Sequence, residues 1–168
     1  MYEIIKIYKQ SIGATRFVGK KYGDADRVDG SFGAKWGEWF ANGWFGSIEK
    51  LYGGKLTDIY EDGDAYVGLM RDGPDGVFEY WIGMFMPEGA GVPDGFSYID
   101  FNAGSLGVCW VYGSEPDIYM REGECGSRLL EEGYEITADW CFERYGCPRF
   151  TTPDDKGNVI LDICFFVK

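Results

Sequence analysis

The sequence predicts an α+β domain built as a duplicated βαββ unit, with antiparallel sheets and each helix packed on one side of a sheet. Three observations carry this. The two halves repeat one order of patterns. A helical segment follows each opening strand pattern, marked in the first half by apolar residues at helical spacing and in the second by a glycine stop. Turn-rich hairpin signals close each half.

The chain has 168 residues, enough for one compact domain over residues 1–168. The halves meet near Pro87 to Pro93, giving a first repeat of about residues 1–88 and a second of about 94–168. In the first, Glu3 to Tyr22 reads as strand material kinked around Gly13. In the second, Phe96 to Gly113 repeats that design, with Gly104 and Gly107 in its middle. Glycine inside a strand pattern marks a bend or a close approach, so each segment reads as one long, bent opening strand.

A helical segment follows in each half. From Ser31 onward, Trp36, Trp39, Phe40, Trp44, Ile48 and Leu51 recur at spacings of three and four, one apolar face of a helix. Gly37, Gly43 and Gly46 weaken that helix or break it, since glycine costs up to about 1 kcal/mol relative to alanine in a helix interior. The second helix is expected from about Ile118 to Glu132, with Gly133 as the residue just past its end.

Two strands close each half. "AYVGLM" and "VFEYWIGMFM" flank "RDGPDG", whose Asp-Gly and Gly-Pro steps predict a hairpin. "WCFERYG" and "VILDICFFV" flank "TTPDDKGN", which plays the same part.

Composition then narrows the function. The net charge is −12, from 28 acidic and 16 basic residues, so a phosphate backbone would be repelled and direct nucleic-acid binding is not expected. The same charge suits a cationic ligand or a basic protein partner. Histidine is absent, which removes Ser-His-Asp and Cys-His catalysis and the commonest transition-metal ligand. The 5 cysteines form no C-x-x-C pair, so neither a zinc site nor a disulfide framework is indicated, and reduced cytoplasmic thiols are the plain reading. No metal or other cofactor is expected. No apolar run reaches the roughly 20 residues of a membrane span, and no signal-peptide pattern opens the chain. Aromatics make up 18% of residues, more than packing alone needs. Some rings are therefore expected to face a ligand, while others fill a strand-rich core.

The closing segment "WCFERYGCPRFTTPDDKGNVILDICFFVK", together with "FEYWIGMFMP" and "FSYIDFNAGSLGVCWVYG", resembles the GyrI-like effector-binding domain family, also found beside DNA-binding helices in AraC-type and MerR-type regulators. The resemblance spans the whole chain. It implies two βαββ units related by a pseudo-twofold axis, with a ligand cleft between them lined by aromatics and holding a glutamate in an aromatic-Glu-x-Tyr context. Phe142-Glu143-Arg144-Tyr145 fits that context, so Glu143 takes the role by resemblance. With a strand pattern already under way at Tyr2, the chain resembles a stand-alone member.

Strand alternation places Cys141, Glu143 and Tyr145 on one face and Trp140, Phe142 and Arg144 on the other. From the residues alone, Glu143 either faces solvent, pairs with Arg144 or Arg149, or lines a cleft; the resemblance favours the cleft. Further candidates for the pocket are Trp81 and Phe85, which flank Gly83 on one face of their strand, with open space expected beside the glycine. Phe78, Tyr80, Ile82 and Met84 read as the core stripe. Trp110 and the helix residues Trp36, Trp39 and Phe40 could complete the enclosure.

Three functions follow. The first is a binding module for hydrophobic, flat or cationic small molecules, by ring stacking and the Glu143 charge. The second is hydrolysis of reactive electrophiles, as the resemblance suggests for some stand-alone members, with Glu143 as general base and Tyr145 as oxyanion donor. The third is a protein-directed inhibitor of gyrase type.

Overall fold

A computed structural model describes residues 1–168 and shows the α+β class expected. Eight strands, β1 (Tyr2–Ile12), β2 (Thr15–Tyr22), β3 (Tyr66–Asp72), β4 (Phe78–Pro87), β5 (Ser97–Phe101), β6 (Gly104–Gly113), β7 (Ile136–Tyr145) and β8 (Val159–Val167), form one sheet. Its order is β1-β6-β8-β7-β3-β4-β2-β5, and every neighbouring pair is antiparallel. Exchanging β1 with β5, β2 with β6, β3 with β7 and β4 with β8 reverses this order onto itself. The duplication is thus a pseudo-twofold whose axis runs between β3 and β7.

Each bent opening segment is two strands. The first breaks at Gly13 and Ala14, the second at Asn102 and Ala103. The arms part: β1 pairs with β6 of the other half, and β2 pairs with β5. Each half thereby lends an edge strand to its mate. Neither half closes its sheet alone.

The helices lie over one face. α1 (Gly33–Asn42) and α2 (Trp44–Glu49) are one apolar stripe broken at Gly43, whose φ of 64° is left-handed and caps α1 as α2 begins. Trp39, Phe45 and Ile48 from this pair pack on Val18, Ile82, Met84 and Met86 of β2 and β4. α3 (Glu122–Glu131) begins later than the spacing predicts. Residues 114–121 instead form turns, and Met120 at φ 61° cannot sit inside a right-handed helix. Gly133 does terminate α3: its N–H bonds the Leu130 carbonyl and the Tyr134 N–H bonds that of Leu129. Beneath α3, Cys125 packs with Cys109, Val111, Leu161 and Ile163 of β6 and β8. No helix is long and apolar enough to cross a membrane.

The other face carries a second core of Phe17, Val67, Leu69, Trp81, Phe85, Leu106, Val108 and Phe142. On the helix side, the two helical layers sit over β2/β4 and β6/β8. The central strands β3 and β7 lie between them.

Candidate functional site

Glu143 sits on β7 at this central position, on the helix face with Cys141 and Tyr145. It is only 7% exposed. Its side chain crosses β3 at Gly68, its direct partner in register, and accepts a short hydrogen bond from the Tyr80 hydroxyl of β4. The Trp36 indole N–H of α1 donates in turn to that same phenol oxygen at 2.9 Å. Trp36 also meets Tyr145 edge to face at 4.9 Å, and Phe32 stacks on Tyr80 at 4.2 Å. Edge-to-face and offset packing of this kind fixes ring positions as well as burying area. The carboxylate is thus roofed by rings from α1, the loop before it and β4.

No lysine or arginine pairs with Glu143. Burial therefore acts on it with little opposition and lifts its carboxyl from an ordinary 4.5 to about 7; the Tyr80 hydroxyl pulls down, Glu122 at the start of α3 pushes up, and Tyr145 again pulls down. The phenols respond oppositely: burial and the adjacent carboxylate hold Tyr80 and Tyr145 well above the ordinary phenol range, so both stay protonated donors. Burial also pushes the Cys141 thiol up to about 12, leaving it inert as a nucleophile at neutral pH.

Among the residues expected from sequence, the structure brings Glu143, Tyr145 and Trp36 together. Trp39 is fully buried in the core under α1, its indole N–H donating to the Tyr22 hydroxyl at 3.0 Å. Phe40 is 61% exposed at the edge of the ring cluster, 6.1 Å from Tyr66 and 6.3 Å from Trp36. Trp81, Phe85 and Trp110 lie on the opposite face, away from Glu143: the first two are core residues, and Trp110 packs against that core beside Tyr8. The expected open space at Gly83 is absent. A Cβ there would run into the Val18 carbonyl, because β2 crosses closely at Gly19.

The strand face assigned to the core is core, and it also carries the missed residue, Tyr80, whose hydroxyl reaches Glu143. Helix-side core and candidate site are one continuous surface, so a stripe of Phe78, Tyr80, Ile82 and Met84 passes through both. The sequence did hold a signal, since a tyrosine in an otherwise apolar stripe brings a hydroxyl that needs a buried partner.

Arg144 and Arg149 leave Glu143 alone because alternation sends Arg144 to the far face. There Arg144 is fully buried and bonds Asp162 at 2.8 Å and Gln10 at 2.7 Å, while Arg149 bonds Asp162 at 2.7 Å and Asp62 at 2.8 Å. Two arginines and two aspartates balance in charge, as a buried network must. A groove of about 670 Å³ lies nearby, between β1 and Ile59 to Glu61. It is on the opposite side of the sheet from the carboxylate.

No family model matches the chain, and no curated protein matches it. Solved structures share its fold at low identity. SAV2435, solved bound to tetraphenylphosphonium, is 16% identical over 98% of this chain and 94% of its own, with a TM-score of 0.67. The C-terminal domain of EcmrR is 13% identical over 97% of both chains, with a TM-score of 0.60. An integron cassette protein from the mobile metagenome of Vibrio cholerae is 12% identical over 99% of both, with a TM-score of 0.53. The architecture is consistent with a GyrI-like fold.

Proposed function

We propose that the chain is a small-molecule-binding domain whose ligands are ring-bearing lipophilic cations, taken up between α1 and α3 onto Glu143. One observation carries the reading: a buried carboxylate with no basic partner, enclosed by Trp36, Tyr80 and Tyr145. A carboxylate without a cation is costly to bury, and the ligand supplies the missing charge while the rings supply cation–π attraction. Tyr80 already donates to Glu143, so the ligand need bring charge and surface but no hydrogen-bond donor. Onium and delocalised cations fit that description better than primary ammonium groups. The tetraphenylphosphonium bound to SAV2435, a protein of the same fold, is such a cation.

The two repeats act as one unit over residues 1–168, since each edge strand belongs to the other half. A net charge of −12 favours cation uptake and disfavours nucleic acid, and five free cysteines suit a reducing cytoplasm. The test is calorimetric. Glu143→Gln is expected to weaken tetraphenylphosphonium at least tenfold, about 1.4 kcal/mol, while leaving a neutral analogue such as triphenylphosphine oxide nearly unaffected. Equal loss for both ligands refutes charge recognition.

A second reading uses the same groups. A carboxyl titrating at about 7 beside protonated phenols has the properties of a general base with oxyanion donors, worth roughly 10²- to 10⁴-fold for a strained electrophile. Turnover of electrophilic compounds followed by mass spectrometry separates this from binding alone.

A further inference from the structure

Gly68 of β3 lies under the carboxylate. Neighbouring strands are about 4.8 Å apart, so Glu143 on β7 and Tyr80 on β4 are separated by about 9.6 Å of sheet with β3 between them. They meet only by leaning over β3 from both sides. The point of crossing is Gly68, in register with Glu143 on one side and with Ile82 on the other. A Cβ at Gly68 would fall 2.5 Å from the Glu143 Oε1 and 2.8 Å from its Cγ, and closer still to the Tyr80 hydroxyl. All of these lie inside contact distance. Gly68 carries no positive φ, so backbone conformation does not explain glycine here. Space does.

We infer that Gly68 is a positioning and selectivity residue of this site: the absent side chain lets Glu143 and Tyr80 join across β3, and that bridge fixes the carboxylate as a partner for cations without N–H donors. This rests on the cation-binding reading for its ligand class. Its geometric part stands independently of any ligand. With a methyl group at 68, the carboxylate is pushed off the phenol, its lone pairs are freed, and a donor-bearing ammonium gains what the phenol gave up.

The experiment follows the Glu143 carboxyl by ¹³C NMR titration in the wild type, Gly68→Ala and Tyr80→Phe. Both variants lose the phenol donor that favours the ionised form, so both are expected to titrate higher than the wild type. An upward shift in Tyr80→Phe with no shift, or a downward one, in Gly68→Ala overturns the inference. Should Gly68→Ala fail to fold, it is placed in the Tyr80→Phe/Glu143→Ala background, which removes both groups the methyl meets. Recovery of folding there supports the inference, and persistent unfolding overturns it.

Ligand selectivity is then read as the ratio of affinities for tetraphenylphosphonium and benzhydrylammonium. The ratio is expected to fall roughly tenfold in Gly68→Ala, and an unchanged ratio overturns the selectivity claim. If the wild type binds neither cation, the functional reading fails, while the titration still decides the role of Gly68.

Discussion

Glu143→Gln should make the protein more stable at alkaline pH, and the structure sets both sign and size. The folded carboxyl titrates at about 7 against an ordinary 4.5. Between those values the native state holds a proton that the unfolded chain has released, so stability falls as pH rises through this window. Above pH 7 the wild type bears the whole cost of a buried, unpaired carboxylate. A gap of about 2.5 units at 1.36 kcal/mol per unit amounts to about 3 kcal/mol.

Glutamine keeps the shape and an oxygen for the Tyr80 donor, but never ionises. Its amide nitrogen costs about 1 kcal/mol if left unbonded, at every pH. The diagnostic quantity is therefore the change with pH: the stability of the variant relative to wild type should rise by about 3 kcal/mol from pH 4 to pH 8.5, roughly 6 to 12 °C in Tm at this chain length. Urea melts at a series of pH values measure it. A stability difference that stays flat across this range refutes the argument that Glu143 is buried without a compensating charge.

The same ionisation governs the ligand in the opposite sense. A cation binds the charged form, so tetraphenylphosphonium affinity should fall roughly tenfold per unit below pH 7 and level off above it, as calorimetry in matched buffers would show. On the far face, Arg144→Met should cost about 3–5 kcal/mol, because it strands the Asp62 and Asp162 charges on Arg149 alone; chemical denaturation reads this directly. At Gly83, alanine should destabilise by several kcal/mol by forcing β2 away from β4, and a near-neutral result in thermal melts would show that the crossing at Gly19 is loose.

Much of the fold was legible because it follows from local chemistry. Asp-Gly and Gly-Pro steps marked the turn after β3, the Trp36 to Ile48 spacing marked the α1–α2 stripe, and Gly133 marked the end of α3. The parting of β1 from β2 was not legible, because a glycine kink in a strand and a corner between two strands read alike until the partner strands are known. The exchange of edge strands is a long-range choice of the same sort.

At the site, alternation within β7 correctly joined Glu143 to Tyr145 and parted both from Arg144. Alternation cannot say which face of β4 meets which face of β7. That ambiguity placed Trp81 and Phe85 beside the carboxylate, although they lie on the opposite face, and gave Tyr80 its core place without the hydroxyl contact to Glu143 that it also makes. Gly68 was invisible for a related reason, since its importance lies in side chains from two other strands.

A crystal structure of the protein with tetraphenylphosphonium would test the central claim most directly. The account predicts the phosphorus within about 6 Å of the rings that enclose Glu143, between α1 and α3, with Trp36 moved aside and the Tyr80 bond to the carboxylate kept. A cation lodged in the groove between β1 and Ile59, with Trp36 and Glu143 undisturbed, would contradict it.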